Sequence, residues 1–208
     1  MGRGGMQMPT PQGIFNPVVG SGAQYDVHRT DGTKTTLEMA IVGKEVSGGK
    51  DGYWYEVTAD VQPQSQMIMK VLLVPDGSNS TVTKMIFQMP GRGPMEMDGP
   101  MGGMMGGRMM QNQQPKDIRD SATDVGSESV TVPAGTFTCE HYKAKDGSVD
   151  VWVAKDVPAY GLVKMVGSDS SMVLTKVLTN VQDKITGTPM DMGQMMRGMG
   201  APPPPPQQ

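Results

Sequence analysis

The strongest constraint in this sequence is a period of two. Tyr53, Tyr55, Val57, Ala59 and Val61 fall on one side of an extended segment, and Glu56, Thr58 and Asp60 fall on the other. Alternation of this kind belongs to a strand with one dry and one wet face. Leu37, Met39 and Ile41 repeat the pattern, as do Met85, Phe87 and Met89. Between such runs stand strong turn formers: Asp31-Gly32, Gly48–Gly52, Pro75-Asp76-Gly77, Val132-Pro133-Ala134-Gly135 and Asp146-Gly147. Glycine accepts a positive φ, and proline ends a hydrogen-bonded ladder because it has no N–H.

The pattern predicts ten strands: Tyr25–Arg29, Thr35–Val46, Tyr53–Val61, Met67–Val74, Thr81–Met89, Asp124–Val132, Thr136–Lys145, Val149–Ala154, Leu162–Gly167 and Met172–Val181. No segment carries a helical stripe. The expected fold is all-β: a curved antiparallel meander of about ten strands, a half-barrel or open barrel.

Composition divides the chain. Residues 1–17, 90–120 and 186–208 hold 15 of the 22 methionines but a single aromatic residue, Phe15. The remaining nine aromatics and almost all branched aliphatics lie elsewhere, so the core must lie there too. The expected organisation is a flexible arm over 1–17, one β domain over 18–185 with a low-complexity loop at 90–120, and a disordered Met- and Pro-rich tail over 186–208. A net charge of −3 speaks against an electrostatic nucleic-acid binder. One cysteine excludes an intrachain disulfide framework. No apolar run approaches the roughly 18 residues of a spanning helix.

Two stretches carry a family resemblance. One runs through Gly52-Tyr53-Trp54-Tyr55-Glu56 and Met85-Ile86-Phe87-Gln88-Met89-Pro90 to Met95-Glu96-Met97. The other is Val132-Pro133-Ala134-Gly135-Thr136-Phe137-Thr138-Cys139-Glu140-His141-Tyr142, leading into Val151-Trp152-Val153-Ala154. The chain resembles a group of uncharacterised bacterial exported β-rich proteins that share this Val-Pro-Ala-Gly-Thr-Phe hairpin. It is distantly similar to the periplasmic lipoprotein-carrier superfamily, whose curved, incompletely closed sheet has an apolar concave face. The resemblance implies a periplasmic or secreted protein. Residues 1–17 lack the basic-then-apolar pattern of an export signal.

Three groups of residues could carry chemistry. The first is an apolar sheet face built from Tyr53, Tyr55, Met67, Met69, Met85, Phe87 and Trp152. Both sides of Met67–Val74 are apolar, so one side packs inside while the other meets a ligand, a loop or a partner. Methionine suits a surface that adapts to varied apolar ligands. The second group is Met95, Met97, Met101, Met104, Met105, Met109 and Met110. Thioether sulfur is soft, so these clusters would take Cu(I), or act as sacrificial reductants. The third is Cys139 and His141, two apart on one strand and therefore on one face. They match a nucleophile pair or half a metal site as well as ordinary packing. No serine elbow, phosphate loop or His-x-x-x-His motif is present.

The expected role is a non-enzymatic envelope binding protein. It would hold a lipid or acyl chain, a lipoprotein or another envelope protein on its curved sheet, without a cofactor. The alternative is Cu(I) binding, or protection from metal or oxidant, through the Met-rich segments.

Overall fold

The computed structural model describes residues 12–62, 65–77, 79–97 and 116–191. Met101, Met104, Met105, Met109 and Met110 lie outside the described residues. So do residues 1–11 and 192–208 of the arm and tail. The strands in chain order are β1 (Gln12–Gly13), β2 (Ser21–Arg29), β3 (Lys34–Ser47), β4 (Lys50–Gln62), β5 (Ser65–Asp76), β6 (Asn79–Gln88), β7 (Met95–Met97) and β8 (Lys116–Asp117). After a one-turn helix, α1 (Ile118–Ser121), come β9 (Ala122–Val132), β10 (Gly135–Ala144), β11 (Val149–Val153), β12 (Leu162–Gly167), β13 (Ser170–Thr179) and β14 (Met190–Asp191).

Twelve of these strands form one curved, open sheet in the order β14-β7-β6-β5-β4-β3-β2-β13-β12-β11-β10-β9. All neighbours are antiparallel except β14 and β7, which run parallel. β1 and β8 make a separate parallel pair. All ten expected strands are present: alternation marks most of them, and Met67–Val74, apolar on both faces, is closed by the turn Pro75-Asp76-Gly77. In the β2–β3 hairpin, Asp31 Oδ1 accepts from Thr33 N–H at 2.8 Å and Gly32 takes a φ of 86°. Asp146 and Gly147 repeat the device between β10 and β11.

The meander β2–β7 and the meander β9–β13 become one sheet where β2 pairs with β13, with Ala23 opposite Val177, Tyr25 opposite Leu174 and Val27 opposite Met172. Tyr25 is buried, and its hydroxyl donates to Leu162 O at 3.0 Å across the core. The core lines the concave face: Tyr25, Leu37, Met39, Ile41, Tyr55, Val57, Val71, Leu73, Val151, Val153, Leu162, Met165, Met172 and Leu174.

Three segments expected to be low complexity contribute structure. Residues 12–17 were expected in a flexible arm, yet they line the concave face. Ile14 N–H donates to Tyr160 O at 2.9 Å and Asn16 N–H to Ala159 O at 2.7 Å. The approach is so close that a Cβ on Gly13 would sit 2.0 Å from Tyr160 O. Met95–Met97, expected in a loop, is strand β7, and residues 116–121 form β8 and α1, whose Ile118 is buried in the core. Local composition missed these segments because their order comes from docking, not from any periodicity of their own.

The second apolar face of β5 also has an occupant. Ile68, Leu72 and Val74 are buried on the side away from the core cluster. Residues 180–191, whose last six were expected to be disordered tail, cross this outer side as a strap. Val181 N–H donates to Gly20 O, Lys184 N–H to Glu56 Oε2, Thr186 N–H to Gln88 Oε1 and Met190 N–H to Pro94 O. Under the strap Lys70 pairs with Asp183, and Lys184 Nζ reaches Glu38 Oε1 at 2.6 Å.

Glu56 is only 2% exposed here. Burial, followed by a hydrogen bond to the Asp183 carboxylate, pushes its carboxyl up to about 7. Burial also works against the charge on Asp183, but hydrogen bonds from Lys70 and Ile185 more than offset it and hold that carboxyl below its ordinary value. A folded-state value of about 7 lies above the ordinary 4.5, so the folded protein keeps a proton that the unfolded chain has released. The stability from protonated Glu56 is therefore full below 4.5 and is lost as pH rises toward 7. Glu56→Gln imitates the protonated acid. It is expected to flatten the fall in thermal stability across that window and to raise the melting temperature at pH 8. An unchanged pH slope in the variant would contradict this account.

Candidate functional site

The apolar concave surface is set out by strand register. One row runs Val57, Met69, Phe87, Met95 across β4 to β7, and the next runs Tyr55, Val71, Met85, Met97. Because each row crosses neighbouring strands at one level, its side chains share a face. Alternation puts Glu56, Lys70 and Glu96 on the opposite face, so none of these charges enters the rows.

Burial grades along the rows. Tyr55 and Val71 are buried in the core, whereas Tyr53, Met67, Met69, Met85, Phe87, Met95 and Met97 are half-buried. The face toward β7 is thus a partly open, Met-rich surface backed by core. Of the expected apolar site, Met69, Met85 and Phe87 come together here; Met67 lies one level further along, opposite Ala59, and Tyr53 lies at the other end of β4, opposite Leu73, with Lys44 Nζ 5.7 Å from its ring centre. Tyr55 is 1% exposed and lies beneath the surface. Trp152 is elsewhere: it sits on β11, stacks on His141 with centroids 4.3 Å apart, and donates to Glu128 Oε1.

Phe15 and Tyr160 divide the concave side. Phe15 meets Tyr53 edge-on at 6.1 Å and Tyr160 at 5.2 Å, and Tyr160 meets Tyr55 at 5.4 Å. The hydroxyls of Tyr55 and Tyr160 are buried without a hydrogen-bond partner. Burial raises the pKa of both, so they remain neutral phenols.

On the other side of Phe15 lies a cleft of about 780 Å³. Ile14, Phe15, Val153 and Ala154 give it apolar walls, while Arg119, Glu140, Lys155 and Asp156 give it charge. Arg119 is held in place: Nε donates to Asp117 Oδ1 at 2.9 Å and Nη2 to Asp117 Oδ2 at 2.5 Å. Sequence reasoning missed this cleft, since its walls come from five separated segments and no motif joins them.

Cys139 and His141 share β10 but make separate contacts. Cys139 is fully buried, its Sγ faces Phe137 O at 3.7 Å, and burial pushes its thiol up to about 11. A thiol so protonated is a poor nucleophile. His141 is engaged by Asp150 at 2.9 Å and Glu128 at 3.4 Å. Among the described residues no group of three or more His, Cys, Asp and Glu is placed to hold a metal. None of the described helices is long and apolar enough to cross a membrane.

No protein-family model matches the chain, and no curated protein sequence matches it significantly. Among solved structures it is similar to an exported protein with a YmcC-like fold from Bacteroides fragilis, with 13% identity over 79% of this chain and 99% of that one, and a TM-score of 0.38. A lipoprotein from Parabacteroides distasonis shares 12% identity over 79% of this chain and 98% of the other, at a TM-score of 0.36. MucB, solved in complex with MucA(peri), shares 11% identity over 81% of this chain and 53% of its own, at a TM-score of 0.40.

Phe15→Ala removes both ring contacts of the 12–17 segment. It is expected to cost roughly 2 kcal/mol in urea denaturation, below the range for a fully buried Phe. A loss under about 0.5 kcal/mol, the size of an ordinary surface change, would show that this segment is not docked.

Proposed function

We propose that this protein is a non-enzymatic binding protein of the bacterial envelope. It holds an apolar ligand, an acyl chain or an apolar segment of a protein partner, against the Met-rich end of its concave sheet face. The observation that carries this reading is the half-buried patch of Met69, Met85, Phe87, Met95 and Met97, in two adjacent rows that continue from buried Val57, Tyr55 and Val71 and take no charged side chain from β4 to β7. Partly wet apolar surface is costly to leave open, and burial recovers about 25 cal/mol per Å² covered. Flexible methionines let such a surface fit ligands of different shape.

The envelope location follows from the resemblance carried by the Val132–Phe137 hairpin. The reading calls for no cofactor, no nucleic acid and no catalytic group. Cys139 fits it as a buried packing residue, and His141 as part of an outer polar cluster.

The test is binding of an apolar fluorescent dye, with organic extraction and mass spectrometry of the natively purified protein. Phe87→Asp places a charge in the row and is expected to weaken dye binding roughly ten-fold, about 1.4 kcal/mol. Thr138→Trp narrows the cleft beyond Phe15 and is expected to leave dye binding unchanged. If neither dye nor lipid is found on the wild-type protein, the reading fails. If only Thr138→Trp interferes, binding belongs to the cleft instead.

A further inference from the structure

The open end of the concave surface gathers methionines from three strands. Met69 is on β5, Met85 on β6, and Met95 and Met97 on β7. Met85 stands directly opposite Met97, and Phe87 has Met69 on one side and Met95 on the other. Directly opposed residues bring their Cβ atoms to about 4.5–5.5 Å, and diagonal neighbours stay within reach of long side chains. Met85 is diagonal to both Met69 and Met95, so it forms the hub of the group. All four are half-buried and reachable from solvent, and Met69 and Met85 pack against the core. On these strands Lys70, Lys84 and Glu96 project to the other side, so the donors offered here are thioether sulfurs.

We infer that this group is a binding site for the soft monovalent ion Cu(I), with Met69, Met85 and Met97 as ligands and Met95 as a fourth donor. Thioether sulfur prefers soft cations and has little affinity for hard ones. Methionine has three rotatable bonds, so sulfurs from adjacent strands can converge without moving the backbone. The strands supply what Met-rich loops lack: a fixed spacing among donors from distant parts of the sequence. The site does not depend on an apolar ligand, although it shares that surface.

The full chain is titrated anaerobically with Cu(I) against a chromophoric Cu(I) chelator. One tight equivalent is expected. Combined replacement Met69→Leu, Met85→Leu and Met97→Leu keeps volume and apolarity, and is expected to weaken that equivalent roughly ten-fold or more while the fold persists. A second variant, Met101→Leu, Met104→Leu, Met105→Leu, Met109→Leu and Met110→Leu, is expected to keep the tight equivalent. Methyl-¹³C methionine spectra of the wild-type protein with Ag(I), a redox-inert soft surrogate, provide a measurement independent of any variant. Shifts at the Met69, Met85, Met95 and Met97 methyls support the site. The inference is overturned if the wild-type chain takes up no Cu(I), if the sheet variant binds as the wild type does, if the second variant loses the ion, or if Ag(I) shifts only methyls elsewhere.

Discussion

A curled sheet that does not close has no second layer of its own. Its concave face must therefore be dried by whatever else the chain can bring. Here that task falls to the 154–161 connection, which buries Val157, Ala159 and Tyr160, to Ile118 of α1, and to Phe15 from the 12–17 segment. The backbone exchange between Asn16 and Ala159 joins two of these pieces, so they dock together. The filling is uneven. It is complete over β2, β3 and the inner part of β4, and it stops at the rows that run out to β7. What remains is a half-buried apolar surface on one side of Phe15 and a mixed cleft on the other.

The outer side follows a different logic. β5 is apolar on both faces, which a solvated sheet cannot tolerate, and the strap over residues 180–191 covers the excess. Lys184 N–H and Thr186 N–H meet side-chain oxygens on the sheet, Lys70 pairs with Asp183, Lys184 pairs with Glu38, and Glu56 hydrogen-bonds to Asp183 beside them. Removing Asp183 would leave the Lys70 ammonium, only 8% exposed, without its carboxylate. The raised Glu56 carboxyl is the cost of placing two acids against one lysine under cover.

The two methionine populations read very differently in three dimensions. Met39 and Met172 are plain core, and Met69 and Met85 line the open surface. Met95 and Met97 belong by composition to the low-complexity stretch, yet β7 carries them onto the same surface as Met69 and Met85. The boundary between folded and biased sequence thus runs through the methionines at that edge.

Alternation and turn residues by themselves determined the ten long strands and their antiparallel order along the chain. Those signals are local, and each strand carries its own copy. They also singled out Tyr53, Met67, Met69, Met85 and Phe87, since residues two apart on paired strands must share a face. Only the tertiary structure decided how deeply each residue of the apolar face is buried. It buried Tyr55 beneath Tyr160, moved Trp152 to the outer cluster with His141, and placed residues 180–191 over β5. It also ordered β1, β7, β8 and α1, whose sequences carry no period. Their structure comes from surfaces supplied by other parts of the chain, and contacts between distant segments leave no mark in local composition.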